Sequence, residues 1–254
     1  DLPTHWMIAF VAVLALAGMA PDLLAQDAAA EPGGGDKKLL EMILEGGIWM
    51  IPLGMLSVAM FTFAIRNFLA LKRDRLFPAP AVAALADQIA SHDIDGAMAT
   101  CNAYPSVLTS VVGAGLERIT GEQMDLDNIK TAIEEADTEQ MVTFMAPISY
   151  LSIIGAVSPM VGLLGTVSGM IKAFNNMSIG GSDKATLLAS NIGEALMTTA
   201  GGLCVAIPSM LFYFFFKNSF MKSMAIIGRI SGGLLDALQT GVVPQNLVAQ
   251  FGGG

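Results

Sequence analysis

Three stretches of the chain are apolar for long enough to cross a bilayer, and polar segments separate them. They cover residues 48–71, 146–174 and 187–216. Each reaches the roughly 20 residues that a spanning helix needs. Trp49 at one end of the first stretch is an interfacial anchor, and Arg66 near the other end is placed to snorkel. Lys72, Arg73 and Arg75 follow at once and mark the cytoplasmic side under the positive-inside rule. The pattern therefore predicts an all-α integral membrane protein with three transmembrane helices, its N-terminus outside and its C-terminus cytoplasmic. The basic residues agree: of 13 Lys and Arg, only Lys37, Lys38, Lys172 and Lys184 fall on the outer side of that topology.

Between the first two spans, residues 72–145 are polar and lack strand-like alternation. Apolar positions recur there every three or four residues, which predicts helices over Ala81 to Ser91, Asp93 to Ala103, Ser106 to Thr120 and Asp127 to Phe144. Asp93 and Asp127 are candidate N-caps. Glu134, Glu135, Asp137 and Glu139 form an acidic run that reads first as a solvated helix face and second as a contact for a basic tail. Residues 175–186 form a short outer loop. After Lys217 one apolar face continues through Met221, Met224, Ile227, Ile230, Leu234 and Leu238, which predicts a cytoplasmic helix and tail over 217–254. A helix from Leu187 to Leu238 would be about 75 Å long, more than a bilayer, so its end projects into the cytoplasm.

Residues 1–26 hold a shorter apolar run, Trp6 to Ala20, ahead of Pro21 and Ala25. That resembles the apolar part of a secretory signal, although no Lys or Arg precedes it; a short uncleaved or interfacial helix is the other reading. Residues 27–47, with Gly33-Gly34-Gly35, read as a periplasmic extension whose Lys38 to Glu45 suits a short surface helix.

Composition narrows the function. The 254 residues are 54% hydrophobic and only 14% charged, with a mean hydropathy of +0.61. Soluble chains carry about 25% charged residues. The net charge of −9 excludes the basic face that nucleic-acid binding requires. Cys101 and Cys204 read as two unpaired thiols, and His5 and His92 are too isolated for a metal site. No motif of an enzyme, a cofactor or a metal site is present.

Candidate chemistry lies in the second and third spans. Glu194 is the lone acid of the third. An ionisable group inside a membrane helix is costly and normally faces protein or a water-filled path, so an ion or proton route is the default reading. The alternative is a carboxylate exposed or capping the helix start at the outer interface. Thr198 lies one turn from Glu194, Thr199 on the adjacent flank, and Thr166 on the second span could complete a path of hydroxyls. Hydroxyls pass protons along hydrogen bonds; their competing role is back-bonding to carbonyls of their own helix. Gly162, Gly165 and Gly169 share one face of the second span, and Gly201 and Gly202 interrupt the third. Such small-residue stripes let helices approach closely.

These residues resemble a known family. Ser158-Pro159-Met160-Val161-Gly162-Leu163-Leu164-Gly165-Thr166-Val167-Ser168-Gly169 looks like the second-helix signature of the MotA/TolQ/ExbB proton channel family. Asn191-Ile192-Gly193-Glu194-Ala195-Leu196-Met197-Thr198-Thr199-Ala200-Gly201-Gly202 looks like its third-helix signature. The match is strong from about Ala146 to Phe216, weaker from Ile48 onward, and absent over residues 1–45. The family's pore threonines fall on Thr166 and Thr199 and its third-helix glutamate on Glu194, which favours the ExbB/TolQ branch. Ser168 departs from the Trp often found there, and Thr198 from an Ala.

The resemblance implies an inner-membrane, homo-oligomeric subunit. Five copies would surround a dimer of a single-span ExbD/TolR-like partner that brings an aspartate. Proton flow would then do mechanical work on a TonB/TolA-like protein. The alternatives are a stator of another motor, of flagellar, gliding or defence type, and a membrane scaffold that conducts nothing.

Overall fold

The computed structural model describes residues 47–119, 125–178 and 184–241. The described residues form seven helices and no strand. They are α1 (Met50–Ala70), α2 (Arg73–Leu76), α3 (Ala79–Ala90), α4 (Ile94–Ala103), α5 (Val107–Leu116), α6 (Leu126–Ser178) and α7 (Lys184–Thr240). α1, α6 and α7 are long and apolar enough to cross a membrane. The signal-like run, the extension before Gly47, residues 179–183 and the tail after Gly241 lie outside the described residues.

Two compact units share the long helices. Among the described residues, the first joins residues 47–62 with residues 151–178 and 184–212. The second joins residues 63–119 and 125–150 with residues 213–241.

In the second unit, short helices are set by their caps. Asp93 accepts from the backbone N–H of Gly96 at 3.0 Å and starts α4. Ser106 and Thr109 form a reciprocal capping box at α5. Each satisfies donors that an isolated helix end leaves open. Asp127 is not a cap. It sits in the first turn of α6, where a negative charge suits the helix dipole, and Asp125 precedes the helix with its Oδ1 3.4 Å from the N–H of Asn128. The apolar faces of α3 and α5 and the start of α6 contribute Leu85, Ile89, Leu108, Val111 and Ile129 to a core completed by Phe220, Ile227, Ile230 and Leu234 of α7. A small apolar cavity of about 20 Å³ among Ile89, Val112, Leu116 and Leu234 is too small for a ligand. Glu134, Glu135 and Glu139 are exposed. Asp137, half-buried, has its carboxyl pushed up by burial.

α6 is one uninterrupted helix of 53 residues. The expected polar helix and the second span are thus joined without a break, and the helix runs on to Ser178, past the residue where the outer loop was expected to begin. Asn and Ser cost a helix only a few tenths of a kcal/mol each, too little to end it. α7 likewise runs 57 residues through Pro208. Both exceed the span of a bilayer, so each carries a polar or amphipathic continuation beyond the membrane.

Inside the second unit, Asn67 of α1 is fully buried and donates from Nδ2 to the carbonyl of Pro147 at 3.2 Å. Inside the first, Ser209 donates to the carbonyl of Leu151 at 2.7 Å. Large apolar side chains such as Ile51, Met55, Met160, Leu163, Leu196 and Ile207 remain exposed. In a membrane protein such surfaces face lipid or other subunits.

Candidate proton site

The first unit is organised by a seam between α6 and α7. Gly162, Gly165 and Gly169 are all buried. A Cβ added at Gly162 would meet the carbonyl of Thr198 at 3.0 Å, and one at Gly169 would meet the Cβ of Ala195 at 2.8 Å. Gly202 answers from α7, where a Cβ would lie 2.7 Å from the carbonyl of Ser158. The two backbones approach as closely as the absent side chains permit, which is how small-residue interfaces gain dispersion contact where lipid offers no hydrophobic drive. Gly201 faces Met50 and Leu53 of α1 instead, at 3.6–3.7 Å.

The seam runs antiparallel. Gly162 opposes Gly202, Gly165 opposes Thr198 and Gly169 opposes Ala195. One further turn brings Lys172 to Glu194. Its Nζ donates to Glu194 Oε1 at 3.0 Å. The Glu194 side chain is 21% exposed and that of Lys172 46%. The same oxygen lies on Gly47, whose φ of +68° suits glycine and whose added Cβ would clash with it. Glu194 is therefore level with Gly47, just ahead of α1, and not midway along that helix.

The threonines divide. Thr198 is 1% exposed and donates to the carbonyl of Ala195 in its own helix at 2.7 Å, with the Gly162 carbonyl 3.5 Å away. Thr166, half-buried, donates to Leu163 of its own helix at 2.7 Å. Thr199 crosses the seam and donates to the carbonyl of Gly162 at 3.3 Å. The back-bonding role weighed for these hydroxyls is thus the geometry of Thr166 and Thr198, whereas Thr199 links two helices. The seam brings together Glu194, Thr198 and Thr199 with the glycines of α6.

Lys172 is the member of the site that sequence reasoning missed. Read alone, it is the lone charge at the far end of a span. Its signal lies in register: once the glycine stripe is laid against Thr198 and Gly202, position 172 falls opposite position 194. Asn67 was missed as well, although a lone amide in an apolar helix is itself a signal. Cys101 is buried and Cys204 exposed, and both are free thiols. Burial pushes the Cys101 thiol up to about 11.

Three long apolar helices, two of which bring Lys172 and Glu194 together at the end of a glycine seam, define a polytopic helical membrane protein. Residues 104–228 match the MotA/TolQ/ExbB proton channel family. The chain is 32% identical over 184 residues to a protein of Synechocystis sp. named ExbB-like 1, an alignment that covers 69% of each chain. It is 34% identical over 113 residues to the biopolymer transport protein ExbB of Xanthomonas campestris pv. campestris, covering 44% of this chain and 45% of that one. With the ExbB of Salmonella typhimurium it shares 37% identity over 86 residues, 34% of this chain and 35% of the other. The chain belongs to the MotA/TolQ/ExbB proton channel family, a family of channels and not of enzymes.

Proposed function

We propose that this chain is the channel subunit of a bacterial inner-membrane motor for biopolymer transport. Copies of it, five in the ExbB arrangement, surround an ExbD/TolR-like single-span dimer and convert proton flow into mechanical work on a TonB/TolA-like protein. The observation that carries this reading is the Glu194 carboxylate, shielded between Gly47 and the α6–α7 seam yet within reach of water through its exposed partner Lys172. One carboxylate and a few hydroxyls make a thin relay, so a second acid from the partner is required. Exposed apolar faces on α1, α6 and α7 supply surfaces for copies of the chain and for lipid. The N-terminus lies outside and the C-terminus in the cytoplasm, as the basic cluster after α1 and the bias of Lys and Arg support.

The test is proton uptake by liposomes that hold the chain with its ExbD-like partner. Wild type acidifies the lumen under an imposed potential, and Glu194→Gln assembles but does not. Equal flux in both would remove Glu194 from the pathway. A non-conducting scaffold is the second reading, favoured by the hydroxyls of Thr166 and Thr198, which donate to carbonyls of their own helices. A scaffold would tolerate Glu194→Gln and Thr199→Ala in every assay. Which ExbD-, TolR- or peptidoglycan-binding-type partner co-purifies separates a transport motor from a stator of another kind.

A further inference from the structure

We propose that Lys172 is the resident counter-ion of Glu194, which holds the carboxylate ionised and seated on Gly47 until an incoming proton displaces the ammonium. This rests on the reading of Glu194 as a proton-binding group and adds to it a positioning residue on the neighbouring helix.

Geometry carries the assignment. Nζ of Lys172 and Oε1 of Glu194 are 3.0 Å apart, a charge-assisted hydrogen bond. The pair is held by the seam, because Gly169 packed on Ala195 fixes the register that sets position 172 against position 194. The same oxygen rests on Gly47, and any larger residue there would push the carboxylate away. Among the described residues, the segment that leads into α1 brings no titratable side chain to this end, since it consists of Gly47, Ile48 and Trp49. α6 brings Lys172. On α7, the neighbours of Glu194 on the same side are Asn191 and Thr198, neither of which ionises near neutral pH.

The two partners are unequally accessible. Glu194 is mostly covered, whereas Lys172 is nearly half exposed. An ammonium donates more strongly to an ionised carboxylate than to a neutral acid. When a proton adds to Glu194, the carboxylate becomes a neutral acid and the attraction is lost. Lys172 keeps its own proton and turns to water. Loss of that proton from Glu194 to an acceptor restores the pair. Lys172 thus sets the order of events, with release of the ammonium coupled to loading of the acid.

A carbodiimide tests this, because it modifies a carboxyl group only in the protonated form. Membranes holding the full chain are treated with dicyclohexylcarbodiimide at pH 7, and modification of the Glu194 peptide is measured by mass spectrometry with Glu194→Gln as background. Low modification is expected in wild type and Lys172→Arg, and several-fold more in Lys172→Met and Lys172→Gln. Lys172→Gln keeps a hydrogen-bond donor of similar length, so it separates charge from shape should Lys172→Met fold poorly. Equal modification of wild type and Lys172→Gln, or heavy modification of wild type or Lys172→Arg, overturns the proposal. Proton flux is read separately. Normal flux in Glu194→Gln would defeat the proton-site reading and leave the contrast across the position-172 variants to be judged by itself.

Discussion

Thr198 occupies the space that Gly165 leaves empty: a Cβ built on Gly165 would lie 2.6 Å from the Cβ of Thr198. The contact locks the register of α6 on α7, and that register presents Lys172 to Glu194 and the Gly162 carbonyl to Thr199.

Gly165→Val should therefore force the helices apart. Overpacking of this kind costs about 1–3 kcal/mol. Thermal unfolding of the purified chain in detergent should show the loss. Gly193→Ala is the control, because nothing lies within 4 Å of a Cβ at that position. An unchanged melting point in Gly165→Val would show that the seam is looser than described.

Thr166→Ala and Thr199→Ala should differ in stability. Thr199 donates across the seam, and interhelical hydrogen bonds in membranes average about 0.6 kcal/mol. Thr166 bonds only its own helix and its loss should be close to neutral. Both variants should fold, so a fall in proton flux to the level of Glu194→Gln would assign the hydroxyl to the pathway. Full flux in both would leave them structural.

Asn67→Ala removes a fully buried amide that donates to the carbonyl of Pro147. The expected loss is about 0.6–1.7 kcal/mol. Asn67→Asp should cost more, because it offers a charge where a donor is needed. Denaturation of the two variants in detergent checks the order.

Cys101 gives a pH dependence of stability. Its thiol is raised from 9.0 to about 11 by burial, so the fold favours the neutral form. The sign follows from linkage: this contribution is intact below pH 9 and is lost as pH rises toward 11. Cys101→Ala should flatten stability over that window. In a Cys204→Ser background, a maleimide at pH 7.5 should modify Cys101 slowly in the folded protein and rapidly in denaturant. Rapid modification of the folded protein would place that thiol at the surface.

The amino-acid sequence by itself determined the helical class, the three apolar segments and the family. Each rests on local pattern: unbroken apolar runs, a three-to-four period after Lys217, and two motifs around Gly165 and Glu194. It also determined that Gly162, Gly165 and Gly169 share a face, since helix geometry alone aligns residues three and four apart. Helix ends were less legible. Asp127 and Asp125 are equally good caps in sequence, and their difference lies in which one the first turn of α6 leaves free. What only the tertiary structure decided was partnership. The sum of contacts across the seam sets the register of α6 on α7, and no single position encodes it. That register turned Lys172 from an outlying charge into the partner of Glu194, folded the hydroxyls of Thr166 and Thr198 back onto their own helices, and sent Thr199 across to its neighbour. Side chains 22 residues apart meet only when two backbones have packed, because their attraction is weak until the glycines bring them within reach.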